Sequence, residues 1–198
     1  MFRKELIYRI AKANNGIITS SLADEHGVLR GNLKYMSDKG LLEKVGRGVY
    51  VLPESGEDML VTLQTRYKKG VFSGETALYL NGLLDEAPSR VCMTFSNSYN
   101  ITSPKSNNVL CWRVKQEYYG SGIIRIKTPQ GNFVNCYCAE KTLCELLNPR
   151  RNFDNERFEK AFSCYLSSPR KNFKLLFEFA SLLRVEKRLK PYVENLKI

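Results

Sequence analysis

The segment from Gly16 to Pro53 constrains the fold of this 198-residue chain more than any other part. It reads GIITSSLADEHGVLRGNLKYMSDKGLLEKVGRGVYVLP. The pattern predicts a helix, a tight turn, a second helix, and a two-stranded ribbon that turns at Gly46-Arg47-Gly48. This is the element order of a winged helix-turn-helix, a module that commonly places one helix in a DNA groove.

Local signals place the helices of this module. A stripe of apolar residues predicts a first helix over Arg3–Asn14. The run Thr19–Ser21 offers an N-cap for the next helix, and Gly27 suits the left-handed conformation of the turn that follows it. A third helix is predicted from about Leu29 to Lys39.

The exposed face of this third helix is the candidate recognition surface, because the second helix of a helix-turn-helix motif enters the major groove. Arg30 can reach guanine O6 and N7, and Asn32 can pair with adenine N6 and N7. Lys34 and Lys39 fit phosphate contacts, which give affinity without sequence information. Tyr35 completes the predicted face.

Two further groups extend the predicted DNA contact. Thr19, Ser20 and Ser21, at the start of the preceding helix, can donate to a phosphate. Arg47 at the ribbon tip, with Lys44 nearby, fits the minor groove or its flanking phosphates. A merely solvated helix face is the alternative interpretation. The combination of cap, turn glycine, basic third helix and Gly-Arg-Gly ribbon favours DNA binding.

The net charge of +11 indicates a polyanionic partner, although it also fits a membrane surface or an acidic protein. Residues 1–55 hold nine Lys or Arg against six Asp or Glu. Residues 56–198 hold twenty-two against fourteen. We therefore expect the larger part of the chain also to face an acidic partner or to extend the DNA footprint.

Neither the start of the chain nor any later run has the character of a signal peptide or a membrane span, so we expect a cytoplasmic protein with no membrane partner. The six cysteines read as small buried hydrophobes, as is usual in the cytosol. No C-x-x-C pair occurs and His26 is the one histidine, so we expect no metal and no cofactor.

The polar stretch Glu54–Asp58 is the predicted linker between a winged-helix domain at residues 1–55 and an α+β domain at residues 59–198. Four predicted strands between Arg90 and Cys138 indicate a small sheet in the second domain. Ser96–Asn108 is predicted to be a long polar loop. The last third is predicted to be helical, with Ser168-Pro169 opening one helix to Leu183 and Pro191 interrupting the last.

Several enzyme classes are disfavoured by missing residue patterns. No Asp or Glu in the sequence has Lys two positions later, as a nuclease of the PD-(D/E)xK type requires. Gly120-Ser121 is followed by no acid until Glu140, which disfavours a nucleotidyltransferase. The acids of Asp154-Asn155-Glu156 are expected to cap a helix. We therefore predict that the protein is not an enzyme.

The chain resembles the AbiEi-type antitoxins of bacterial abortive-infection, type IV toxin–antitoxin systems. The blocks that carry the resemblance are VGRGVYVLP, VFSGETALYLNGLLDEAPSRVCMTFSNSYN, GIIRIKTPQGNFVNCYCAEKTLCELL and the tail LLRVEKRLKPYVENL. Gly74 and Asn81 stand where histidines are common in the family.

The resemblance implies a role with two parts. The winged helix would bind inverted repeats in double-stranded DNA of its own promoter and repress the operon. The C-terminal domain would counter a nucleotidyltransferase toxin of the AbiEii type, and the type IV scheme does not require a stable complex.

A one-component transcriptional regulator with a C-terminal ligand-sensing domain is the alternative function. Tyr79, Trp112, Tyr118 and Tyr119 could line a pocket in that domain, although aromatic residues at such spacing are more often core. Thermal stabilisation by a metabolite would favour this alternative.

Overall fold

The structure, a computed structural model, describes residues 4–194 and divides them into two compact units. The first runs to Lys68 and includes Lys127–Val134, and the second comprises Lys69–Ile126 and the chain from Asn135 onward. The predicted start of the first helix, Arg3, and the last residue of the predicted C-terminal helix Val185–Asn195 lie outside the described residues. Among the described residues no helix has the length and apolar character to cross a membrane.

The first unit contains a winged helix-turn-helix, as predicted. Its sheet has the order β1-β3-β2 with antiparallel pairing, so the strand that precedes the motif pairs with the ribbon that follows it. The elements in chain order are α1 (Lys4–Ala13), β1 (Ile17–Thr19), α2 (Ser20–Glu25), α3 (Arg30–Asp38), β2 (Glu43–Gly46), β3 (Val49–Val51) and α4 (Met59–Arg66).

A small apolar core fixes the helices of this unit. Ile7 and Ile10 of α1 pack in one cluster with Leu33 and Met36 of α3, and all four are buried. Burial of this stripe fixes the rotation of α3 about its axis, so the residues between the buried positions face outward. The apolar period of the sequence therefore determines which face of α3 is available to a partner.

The turn at residues 127–134 is bound to the first unit through the buried carboxylate of Asp58. Its Oδ1 accepts hydrogen bonds from the first amides of α4, those of Leu60 and Val61. Its Oδ2 accepts from Thr128 Oγ1 at 2.5 Å and from Asn132 Nδ2 at 3.0 Å. One carboxylate therefore caps a helix and also satisfies two donors from a distant part of the sequence.

The second unit is built around a five-stranded mixed sheet of order β6-β5-β4-β8-β7. β4 pairs antiparallel with β5 and parallel with β8, and β5 pairs parallel with β6. The elements are β4 (Val71–Phe72), α5 (Gly74–Leu80), β5 (Cys92–Ser96), α6 (Thr102–Ser106), β6 (Leu110–Val114), α7 (Gln116–Tyr119), β7 (Ile123–Lys127) and β8 (Phe133–Tyr137).

Helices complete the second unit and confirm the predicted helical C-terminal end. Leu143, Phe158, Phe162 and Leu176 lie in one buried cluster that joins these helices. The elements are α8 (Ala139–Leu146), a 3-10 turn (Pro149–Arg151), α9 (Asn155–Ser167), α10 (Phe173–Leu182) and α11 (Glu186–Val193). Asp154 caps α9 by accepting from Arg157 N at 2.8 Å, as expected from the sequence.

Three local predictions were wrong. The helix predicted to open at Ser168-Pro169 begins at Phe173, because Asn172 provides the cap to Leu175 N while Ser168 Oγ accepts from Arg170 N within a turn. The predicted loop Ser96–Asn108 contains the short helix α6, which lies between the parallel strands β5 and β6. Pro191 lies inside α11 and does not interrupt it.

Candidate DNA-binding surface

The helix-turn-helix is shaped by a side-chain cap and a left-handed turn. Thr19 is the N-cap of α2, and its Oγ1 accepts from Leu22 N at 3.1 Å. Gly27 has φ of +65°, which allows the chain to reverse after α2 without the strain a side chain would add. Val28 is buried directly after this glycine and holds the turn against the core. The Thr19 oxygen is thus used as a cap acceptor, and its hydroxyl hydrogen can still donate.

The outward face of α3 presents polar and aromatic side chains. Lys34, Tyr35 and Lys39 are exposed, and Asn32 is half-buried. The ammonium of Lys39 lies 5.9 Å from the centre of the Tyr35 ring, a distance at which a cation and an aromatic face attract each other. These four predicted contact residues therefore share the helix face that the core leaves uncovered.

Arg30 is bound to a residue that the sequence argument did not identify. Its Nε and Nη2 lie 3.1 Å and 2.6 Å from Asp24 Oδ2, and both side chains are largely exposed. The hydrogen bond from Arg30 lowers the pKa of Asp24, and Asp24 in turn raises the pKa of Arg30. The arginine predicted to read a base is therefore already paired to a carboxylate.

Gly31 is a second residue missed by the sequence argument. A Cβ placed on it would meet no atom of the described chain within 4 Å, and the residue lies in the first turn of α3. A glycine within a helix costs stability relative to alanine, and the protein's own packing does not require it here. The signal available in the sequence was a glycine inside an otherwise helical pattern, immediately after a candidate base-reading arginine.

The ribbon is the wing of the module and carries two exposed basic side chains, Lys44 and Arg47. The structure explains why a glycine stands on each side of Arg47. Gly48 has φ of +73° and its carbonyl accepts from Ser20 N at 2.8 Å, which joins the wing to the start of α2. A Cβ on Gly46 would lie 2.8 Å from Thr62 Cγ2. The wing tip is therefore compact, and Arg47 extends from it.

A further cation, the ammonium of Lys68, lies at the start of α2 beside Ser21. Ser21 Oγ accepts from Lys68 Nζ at 2.8 Å, although the two residues are 47 positions apart in sequence. Lys68 was not predicted, because nothing in local spacing links it to the motif. The observed surface is thus more basic at the start of α2 than the sequence argument indicated.

The described residues contain no group of three or more His, Cys, Asp or Glu that could hold a metal ion. Nδ1 of His26 lies 2.9 Å from the carbonyl of Leu22 within its own turn. Four cysteines are buried, Cys111 is half-buried and Cys164 is exposed, and all six are free thiols. Burial raises the pKa of Cys138 to about 11 and that of Cys144 to about 12. Thiols of this kind remain protonated and act as core residues.

These features define a class, a winged-helix module with an exposed basic recognition helix, as found in DNA-binding regulators. Comparison with known families gives a local match: residues 5–53 are similar to the family described as "Transcriptional regulator, AbiEi antitoxin". The resemblance stated from the sequence is thereby confirmed for the winged-helix segment, and the match supports a DNA-binding antitoxin. Residues 54–198 lie outside the matched range.

The RV2827C protein from Mycobacterium tuberculosis matches with 12% sequence identity and a TM-score of 0.49, over 98% of this chain and 80% of that chain. No curated protein matches the sequence.

Proposed function

We propose that this protein is the DNA-binding antitoxin of a type IV toxin–antitoxin system, which represses its own operon and opposes a nucleotidyltransferase toxin during abortive infection. The observation that carries the proposal is the match of residues 5–53 to the AbiEi antitoxin regulators, on a segment whose third helix exposes a basic face. A repressor of this kind binds its promoter DNA in the cytoplasm.

In this proposal α3 lies in the major groove. Arg30 and Asn32 read base edges, because an arginine fork fits guanine and an amide fits adenine. Lys34 and Lys39 neutralise phosphates on either side of the groove. Tyr35, half exposed at 50%, contacts a sugar or a thymine methyl group.

The start of α2 and the wing bind the flanking backbone. Ser20 and Ser21 contribute hydroxyls near the ammonium of Lys68, and the capping Thr19 keeps their backbone in place. Arg47 at the wing tip enters the minor groove or binds its phosphates, with Lys44 beside it. Two copies on inverted repeats would double these contacts and make repression depend on both half-sites.

The C-terminal unit is the part proposed to oppose the toxin. Residues 141–198 hold thirteen Lys or Arg against seven Asp or Glu. Such a surface fits competition for a nucleic-acid target of the toxin, which requires no stable complex between the two proteins.

A cell-based experiment tests both parts of the role. A reporter gene under the protein's own promoter should be repressed by the full chain and released by deletion of residues 1–53. The same deletion should still rescue growth of cells that express the toxin encoded beside it. Two results would contradict the proposal. One is a truncated protein that folds but does not restore growth of the toxin-expressing cells. The other is reporter expression that is unchanged by the full chain.

A ligand-sensing regulator is the second candidate, because the C-terminal unit contains a half-open cleft of about 260 Å³. Tyr118 lines this cleft, as one of the four aromatic residues predicted for a pocket. Trp112 packs against Arg151, a lining residue. Tyr79 and Tyr119 are not among the residues that line the cleft.

A further inference from the structure

The cleft in the second unit is bordered by an unusual concentration of charge. Lys115, Arg151 and Arg184 line it together with a single acidic residue, Glu145. Lys115 is also 3.8 Å from Glu117 at the exposed end of α7, a weak pairing in solvent. The lining therefore has an excess of positive charge in a space that approaches the size of small-ligand pockets.

Arg151 is held rigidly in this cleft by two neighbours. Its guanidinium lies 4.4 Å from the centre of the Trp112 ring, and Nη2 lies 3.1 Å from Glu145 Oε2. The side chains of Arg151 and Glu145 are 11% and 4% exposed. The contact with Glu145 is an ion pair without a hydrogen bond of good geometry, so it leaves the guanidinium donors unused.

Glu145 explains how this arginine is kept in position. Burial raises the pKa of Glu145, while the charge of Arg151 opposes that rise. Neither carboxylate oxygen has a hydrogen bond of good geometry within residues 4–194, so the carboxylate depends on the charges of Arg151 and Lys141 for compensation. A buried pair of this kind is a weak source of stability, and ionisable groups perturbed in a cleft cluster at functional sites.

Arg184 provides a third and independent observation. It has φ of +57° at the end of α10, where its N–H bonds to the Ser181 carbonyl and the next N–H, that of Val185, bonds to the Ala180 carbonyl. This left-handed position at a helix end usually holds glycine, because any side chain there is strained. A long cationic side chain at this strained position beside a basic cleft indicates that the side chain is used.

We propose that this cleft binds a phosphate monoester of nucleotide size. Arg151 binds the phosphate through its unused donors, and Arg184 and Lys115 add charge at the same group, because guanidinium donors match phosphate oxygens in pairs. The half-buried ring of Tyr118, whose carbonyl accepts from Lys141, gives an aromatic wall for the rest of the ligand. The source of the phosphate is a free nucleotide or the phosphorylated end of a nucleic-acid strand.

Calorimetric titration of the full chain with adenosine 5′-monophosphate and with adenosine tests the phosphate requirement without any mutation. We expect saturable one-to-one binding of the monophosphate and at least tenfold weaker binding of adenosine. Equal binding of the two, or no saturable binding of the monophosphate, overturns the proposal. Short oligonucleotides that carry a 5′-phosphate or a 5′-hydroxyl distinguish a strand end from a free nucleotide as the source. Equal binding of the two oligonucleotides excludes the strand end.

Two variants assign the binding to these residues. Arg151→Gln should weaken binding of the monophosphate at least tenfold, whereas Arg150→Gln, at the exposed neighbour outside the lining, should leave it unchanged. Arg184→Gly should weaken binding severalfold while the melting temperature stays level or rises, because the strain is relieved. Asn152→Gly is the matched control, since Asn152 also has a positive φ, of 45°, and lies outside this lining. If Arg151→Gln does not fold, the Arg184→Gly variant tests the assignment instead. Unchanged affinity of Arg184→Gly for the monophosphate overturns it.

Discussion

The guanidinium of Arg30 donates to the carboxylate of Asp24 across the turn of the helix-turn-helix motif, with Nη2 and Oδ2 2.6 Å apart. The pair joins the first residue of α3 to α2, so it orients the arginine that the proposed mechanism assigns to base reading. Asp24 also places a negative charge on the surface proposed to approach DNA phosphates. We therefore expect the pair to limit non-specific attraction to DNA while it positions Arg30.

Replacing Arg30 and replacing Asp24 should change DNA affinity in opposite directions. Arg30→Ala should weaken binding to promoter DNA about tenfold or more, because a base contact is lost. Asp24→Asn should strengthen binding to unrelated DNA severalfold, because the restraint and the repulsive charge are both removed. Glu25→Gln is the control, since it removes the neighbouring exposed charge and leaves the pair intact. Equal effects of Asp24→Asn and Glu25→Gln in a salt-matched anisotropy titration would show that the pair has no role.

Gly31 should separate stability from DNA binding. Gly31→Ala should raise the free energy of unfolding by up to about 0.5 kcal/mol, the low end of the helix-interior value, because Gly31 lies in the first turn and alanine meets no neighbour there. The same change should weaken DNA binding if the backbone of α3 approaches the groove at this position. Gly56→Ala, at a glycine that is equally open, serves as the control. If Gly31→Ala binds DNA as tightly as the wild type, Gly31 is not part of the DNA interface.

Lys34 is expected to contact a phosphate and not a base. Lys34→Ala should weaken binding to all DNA sequences by a similar factor and should reduce the slope of log affinity against log salt by about one. Titrations of promoter and unrelated DNA at several salt concentrations measure both quantities. An unchanged slope, or a loss confined to promoter DNA, would contradict the phosphate assignment.

Asp58 should be a major stabiliser of the first unit. Asp58→Ala removes the cap of α4 and leaves the donors of Thr128 and Asn132 unpaired, so we expect a loss of about 2–4 kcal/mol in the free energy of unfolding. Urea unfolding measures this loss, with Glu57→Ala at the adjacent exposed acid as the comparison. A cost no larger than that of Glu57→Ala would show that the hydrogen bonds are not maintained in solution.

The buried lysine of α8 predicts a pH dependence of stability. Burial lowers the pKa of Lys141 from 10.5 to about 8, so between these values the unfolded chain binds the proton more strongly than the native protein. Stability from this group should therefore rise as the pH increases from about 8 towards 10, by on the order of 2 kcal/mol. Urea unfolding of the wild type and of Lys141→Met measures the effect of this group together with its coupling to Glu145 and Cys138. Parallel pH profiles of the two proteins would contradict the lowered pKa.

The winged helix was predictable because its signals are local. The Thr19 cap, the glycine turns and the apolar stripe through Leu33 act within a few residues of where they stand. The start of α10 was missed because Ser168-Pro169 and Asn172 are both good helix openers, and the packing of Phe173 and Leu176 selects between them.

The remaining parts of the site depend on contacts that sequence spacing does not reveal. Asp24 and Arg30 meet across a turn whose geometry sets their distance. Lys68 reaches Ser21 only after the chain has passed through the wing and α4. The cluster of Trp112, Glu145 and Arg151 unites residues from a strand, a helix and a 3-10 turn.

The proposed function depends on specific recognition of the protein's own promoter by α3 and the wing. The most direct measurement is an anisotropy titration of the full chain, at one fixed salt concentration, with promoter DNA and with unrelated DNA of equal length. We predict that the promoter is bound about a thousandfold tighter or more, and that Asn32→Ala and Arg47→Ala each reduce this preference. Equal affinity for the two DNAs would contradict the account.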